Sequence, residues 1–208
     1  GNIVHIAAQT EAKSEIVITA SGIVETQNTS GVFGQHDNLL PLAVYKNETH
    51  YCRMGPHLKN LAREMIREVD DIRFLHSLSE LISQKIVYKK GYTDSLTPAD
   101  LSTSLGAGVC QDHVHIFLTL ARSVGIAARY VSGYLVTDSK DSNTESHAWA
   151  EAYVEGIGWT GFDISNQISP DETYVRIASG FDYSDVQPVA GLRFGDGEET
   201  MTTQVIIQ

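Results

Sequence analysis

The chain has 208 residues, 42% of them hydrophobic and 20% charged; these are the proportions of one ordinary globular domain, or one domain with an appendage, and exclude a disordered or fibrous chain. Lys and Arg total 15 against 26 Asp and Glu, a net charge of −11, which argues against nucleic acid as the main partner because phosphate binding needs a basic footprint. No apolar run approaches the ~20 residues needed to span a bilayer, so no membrane partner is expected, and two cysteines, Cys52 and Cys110, are too few for a disulfide scaffold.

The opening residues, GNIVHIAAQT, lack the charged and apolar regions of a signal peptide and lack an initiator Met. The chain is expected to begin inside a longer protein, and its free thiols fit a cytoplasmic location. Residues 2–9 and 15–27 are rich in Ile, Val and Thr and partly alternate, which predicts two strands joined by a charged turn at Glu11–Ser14. Residues 28–37 are turn-rich and read as a loop. Residues 38–55 give no regular pattern.

Helical spacing follows. Leu58, Leu61, Ala62, Met65, Ile66 and Val69 predict a helix over 57–69, and Phe74, Leu75, Leu78, Leu81, Ile82 and Ile86 another over 73–87. Thr97-Pro98-Ala99-Asp100 has the residues of a helix start, and Gly106 ends that short helix. After Gly106-Ala107-Gly108 a further helix begins, with Cys110, Val114, Phe117, Leu118, Ala121 and Val124 on one stripe closed by Gly125. The period then changes to strand over 127–136, 147–154, 159–164, 173–178, 187–194 and 201–207, with the polar, exposed stretch 138–146 between the first two. Helices first and strands afterwards predict an α+β fold with helices packed on an antiparallel sheet.

The chemistry concentrates in 106–163. Cys110 falls at the first turn of a helix, where leading backbone N–H groups and the positive helix end favour the thiolate and offer an oxyanion site. The same residue also suits a small buried apolar position on the stripe. His147 opens a strand and suits a base that takes the thiol proton and returns it to a leaving amine. Asp163 closes the next strand and suits the acid that orients the imidazole. Taken singly, a strand-end His and a turn-capping Asp explain these two as well. Both residues lie at one end of a hairpin. A two-residue turn at Glu155-Gly156 sets His147 opposite Ile164, so that one bulge aligns the pair; a four-residue loop sets it opposite Asn166 and sends Asp163 to the other face.

The blocks Gly-Ala-Gly-Val-Cys110-Gln-Asp-His-Val-His-Ile-Phe, Gly-Ile-Ala-Ala-Arg-Tyr-Val-Ser-Gly-Tyr, His147-Ala-Trp-Ala-Glu-Ala-Tyr and Gly-Trp-Thr-Gly-Phe-Asp163 closely resemble the bacterial transglutaminase-like domain family of cysteine-protease type. The resemblance runs from about residue 57 to 207 and includes Phe181-Asp182-Tyr183-Ser-Asp185. It implies a papain-like α+β core over 57–208, with Cys110 as nucleophile, His147 as base and Asp163 as orienting acid, and no cofactor. Residues 1–56 resemble the end of the β-rich region that precedes this core. That leaves its first strands to pack incompletely or to dock on another chain, a route to an oligomer. Where many relatives continue Cys-Gln-Asp with Phe or Ala, this chain has His113, then His115.

Gln111, Trp149 and Tyr183 are further candidates for contacts with substrate or oxyanion, each equally at home as a helix-surface, core or turn residue. Asp182 and Asp185 divide in the same way between cleft and turn. His113 and His115 are two apart and point to different sides of a helix, which argues against a metal site. Cys52 lacks a helix-terminal setting and reads as structural. The implied activity is thiol-dependent acyl transfer on a peptide or protein amide through a thioester, with water as the favoured acceptor. Transamidation by an amine, and a catalytically silent module that binds a peptide or partner chain, are the alternatives.

Overall fold

The computed structural model describes residues 2–7, 16–37, 40–66, 70–136, 146–191, 200, 202 and 204–206. Among these residues four α-helices and seven strands follow in the order β1 (Val32–Gly34), α1 (Pro56–Ala62), α2 (Asp71–Lys85), β2 (Val87–Tyr88), α3 (Ala99–Leu105), β3 (Ala107–Gly108), α4 (Cys110–Ser123), β4 (Ala128–Leu135), β5 (Ser146–Val154), β6 (Gly158–Phe162) and β7 (Tyr174–Gly180). The main sheet runs β1-β6-β5-β4-β7, with every pair antiparallel. A short parallel pair, β2 and β3, stands apart from it. No helix among the described residues is long and apolar enough to cross a membrane.

The expected α+β architecture is present, and α4 is its centre. The predicted stripe Val114, Phe117, Leu118 and Ala121 is buried, but so are Ile116 and Leu120 between its members. A helix covered on all sides has no solvated face to define a stripe. Helices α1, α2 and α3 cover one side, and β4 and β5 the other. Alternation in β5 makes this possible: Ala148, Ala150, Ala152 and Val154 join the helical core, while His147, Trp149, Glu151 and Tyr153 line the opposite face. Glu151 is fully buried there, held by Arg129 at 2.5 Å and Arg176 at 2.8 Å.

Local signals placed most boundaries. Asp70 caps α2 by accepting from Ile72 N at 2.9 Å. Gly106 ends α3 in the left-handed region, at φ 64°. The start of α3 differs in detail. Pro98 is its N-cap, and Thr97 turns back to accept from Asp94 N instead of capping. Helix α1 stops at Ala62 rather than continuing, and Val69 lies outside the described residues.

The two predicted N-terminal strands are not formed in their described portions. Residues 2–7 and 16–27 carry no strand, and Ile3, Val4, Ile6, Ile16, Val17, Ile18 and Ile23 are exposed. Alternation gives a strand a face, but a strand exists only by pairing, and these residues find no ladder among the described residues. Residues 8–9 and the turn read at Glu11–Ser14 lie outside that set, as do 137–145 and 192–199. The strands predicted over 187–194 and 201–207 are likewise not formed in their described portions. Conversely, the turn-rich stretch 28–37 contributes β1, a three-residue edge strand paired with β6.

Candidate active site

Cys110 is the first residue of α4, half-buried against the helical core. Asp112 fixes this helix start. Its Oδ2 accepts from Val109 N at 2.8 Å and from the Thr93 hydroxyl at 2.7 Å. Burial raises its pKa, against both hydrogen bonds. Gly108 is required for this arrangement, because a Cβ there would sit 2.6 Å from Asp112 Cβ. The leading N–H groups of α4, from Cys110 onward, have no intrahelical acceptor and project from the positive end of the helix.

The hairpin register falls between the two lengths considered from sequence. The turn is three residues, Glu155–Ile157, so Val154 pairs with Gly158 and Ala150 with Phe162. Carried one step further, Trp149 stands across from Asp163. Asp163 therefore shares the face of His147, one pleat along. No bulge is needed.

His147 Nε2 donates to Asp163 Oδ2 at 2.6 Å, and Cys110 lies near enough to the ring to raise its pKa. Of the three residues that sequence singled out, His147 and Asp163 are in direct contact, and Cys110 is close enough to act on the imidazole. The His147 side chain is only 11% exposed and Asp163 is fully buried. Burial pulls the His147 pKa down, but the hydrogen bonds and charges of Asp163 and Cys110 outweigh it and carry it to about 10. Burial also acts to raise the Asp163 pKa. Its partners prevail, His147 foremost, and hold it below the usual carboxylate range.

Asp163 has more partners than its sequence position announced. Oδ1 accepts from the backbone N–H of Ser165 at 3.0 Å and of Asn166 at 3.1 Å. Oδ2, besides His147, accepts from Asn166 Nδ2 at 2.7 Å and from the Tyr174 hydroxyl at 2.6 Å. Ser165 and Asn166 lie two and three residues after the Asp, the spacing by which Asx turns are recognised. Tyr174 had no local signal, since it arrives from another strand.

His113 and His115 do not converge. His113 Nδ1 meets the Ser165 hydroxyl at 3.0 Å and Nε2 meets Ile86 O at 3.0 Å, so it ties α4 to the turn after Asp163. Burial lowers its pKa despite the Ile86 carbonyl and the Asp163 charge. His115 is fully buried, stacks on Tyr51 at 5.3 Å and accepts from Tyr183 N at 3.3 Å. Burial pushes its pKa down to about 3. Among the described residues no cluster of three or more His, Cys, Asp or Glu could hold a metal ion.

Of the other candidates, Gln111 turns its amide to Ser95 O at 3.0 Å. Trp149 is fully buried, its ring 6.5 Å from that of His147. Tyr183 is half-buried 6.2 Å from Tyr130. Asp182 and Asp185 hold turns: Asp182 accepts from Tyr51 N and from Ser184 N and Oγ, and Asp185 from Phe181 N. Cys52 is fully buried, and burial pushes its thiol up to about 11.

Comparison with known proteins agrees with this architecture. An uncharacterized protein of Mycobacterium leprae is 26% identical over 93% of this chain and 74% of its own length. One from Mycobacterium tuberculosis is 30% identical over 62% of this chain, which spans 45% of that protein. A crystal structure from Cytophaga hutchinsonii, named as a putative cysteine protease, superposes with a TM-score of 0.60 at 26% identity. That match covers 78% of this chain and 55% of the other. Residues 59–164, from the start of the helical block to just beyond Asp163, match the family model of the transglutaminase-like superfamily. The chain belongs to that superfamily.

Proposed function

We propose that the chain performs thiol-dependent acyl transfer on a peptide or amide carbonyl, with water as acceptor. The observation that supports this reading is the placement of the His147 imidazole, hydrogen-bonded to Asp163 and close enough to Cys110 for the sulfur to raise its pKa. An imidazolium beside sulfur favours the thiolate, the nucleophilic form. The sulfur attacks the carbonyl carbon, and the carbonyl π pair moves to oxygen. The N–H of Cys110 and its neighbours on α4 stabilise that oxyanion. When the intermediate collapses, His147 gives its proton to the departing amine and a thioester remains. Neutral His147 then takes a proton from water as it attacks the thioester. The acid leaves, and thiolate and imidazolium are restored. Asp163 keeps one edge of the ring engaged throughout, so that the other faces the sulfur.

The first test is chemical. At pH 6 Cys110 should react with iodoacetamide at least ~10-fold faster than a free cysteine, of which only ~0.3% is thiolate at that pH. An activated acyl ester should give a hydroxylamine-labile adduct, seen by intact mass, that Cys110→Ala abolishes. Labelling at the free-cysteine rate, together with no Cys110-dependent adduct, refutes the proposal in favour of a silent binding module. Adduct decay accelerated by added amine far more than by water points to transamidation.

A further inference from the structure

Tyr174 opens β7, and β7 is separated from β5 by β4. For a β7 side chain to reach a β5 site it must pass over β4, and Gly133 lets it. Gly133 pairs with His147 on one side and with Arg176 on the other. A Cβ there would come within 2.8 Å of the Trp149 ring. Without that Cβ, Trp149 meets Tyr174 edge-on with centroids 5.3 Å apart, and the Tyr174 ring lies 6.0 Å from that of His147.

Two further features aim Tyr174. The register of β7 against β4 shifts between Ser132, which faces Ala178, and Gly133, which faces Arg176, so one extra residue is accommodated. The start of β7 is set by Asp171, whose Oδ1 accepts from Thr173 N at 2.9 Å and from its hydroxyl at 2.5 Å. The Tyr174 hydroxyl then donates to Asp163 Oδ2 at 2.6 Å, beside the Asn166 amide at 2.7 Å.

We propose that Tyr174 is a positioning residue for the acyl-transfer centre, its hydroxyl and the Asn166 amide together clamping Asp163 Oδ2 against the ring of His147. The role rests on the acyl-transfer reading above. Two donors besides the imidazole fix where the lone pairs of Oδ2 are free, and so fix the line along which the ring must lie. They also draw charge from the carboxylate and temper its pull on the imidazole proton. The titratable groups facing this carboxylate are His147 from β5, with Cys110 of α4 behind it, His113 from α4 and Tyr174 itself from β7. Burial biases His113 toward its neutral form, while burial and then the Asp163 charge keep Tyr174 protonated. His147 is thus the group whose titration reports the clamp.

The test is an NMR titration of the His147 ring in the full chain carrying Cys110→Ala, which removes the influence of sulfur. Adding Tyr174→Phe retains the aromatic packing and deletes one donor to the carboxylate, so the proton affinity of His147 should rise about 3- to 10-fold. A hydroxyl that served packing alone would leave it unmoved. Asn166→Ala removes the other donor and should shift it in the same direction, giving the same test should the Phe variant not fold. In an Asp163→Asn background, Tyr174→Phe should produce no further change. An unchanged His147 titration in folded Tyr174→Phe, or in Asn166→Ala where the Phe variant does not fold, overturns the proposal. None of these measurements needs turnover. A shift seen alongside an inert Cys110 would therefore leave the clamp standing and count against acyl transfer alone.

Discussion

Asp163→Asn keeps the shape of the buried side chain and removes its charge. In the native protein the His147 pKa is lowered by burial and raised more strongly by Asp163 and Cys110, reaching about 10 against an ordinary 6.5. Roughly three and a half decades of proton affinity correspond to ~4–5 kcal/mol. Asp163 acts through both a hydrogen bond and its charge, so its share is taken as the larger one, ~3 kcal/mol. Because the folded-state pKa lies above the unfolded one, this stability is fully present below pH 6.5. It declines as pH rises from there and is lost above about pH 10. The carboxylate's own pKa is lowered, so its separate contribution is present above the ordinary value of 3.8 and fades only in acid, outside this window. Asp163→Asn should therefore cost ~3 kcal/mol more at pH 6 than above pH 10, any separate contribution of the carboxylate being lost equally at both. Urea unfolding of both proteins at several pH values between 6 and 10 measures that gap. A gap that stays constant across the range, or that is below ~1 kcal/mol at pH 6, refutes the reasoning.

Gly133→Ala would place its Cβ 2.1 Å from Val175 O and 2.8 Å from the Trp149 ring. Backbone on one side and a buried indole on the other leave little room to yield, so we expect a loss of at least ~3 kcal/mol and a melting temperature lower by ~6 °C or more. A variant melting within 2 °C of wild type would show that the gap over β4 is dispensable. Cys52, buried and with its thiol pushed up to about 11, should stay unalkylated in native protein at pH 8 and react once urea unfolds the chain. Peptide mapping that finds native Cys52 labelled as fast as Cys110 would contradict its burial.

Much of the helical half was legible because its signals are local. Gly106 and Gly125 lie within a few residues of the boundaries they set, and the apolar spacing that leads from Cys110 to Val124 needs no distant partner. Cys110 could be placed at a helix start for the same reason. The convergence of His147 with Asp163 was only half legible, because register depends on how many residues the hairpin turn consumes. The stretch Glu155-Gly156-Ile157-Gly158 has two glycines, each with positive φ, and so admits several turn lengths. Tyr174 was out of reach. Its role needs the place of β7 beside β4, the bulge near Ala178 and the bare Cα of Gly133, all of which are long-range facts. The N-terminal strands failed for the opposite reason: residues 16–20 have the composition of a strand, but composition does not supply a neighbour to pair with. The spacing of His113 and His115 argued against a metal site but could not name the partners of His113, Ser165 and Ile86, which come from two other segments.

The three-residue turn between β5 and β6 has a consequence for how this site can vary. Side chains alternate along a strand, so the number of residues the turn takes from this sequence acts as a parity bit for the whole hairpin. If the turn consumed one residue more or fewer of this same sequence, every motif would stay intact, yet Asp163 would look away from His147. A slip of two would preserve the alternation and merely slide the carboxylate along its own side. A residue inserted within the loop itself leaves the pairing where it is, so what this centre depends on is the match of Val154 with Gly158, not the loop's own length or residues.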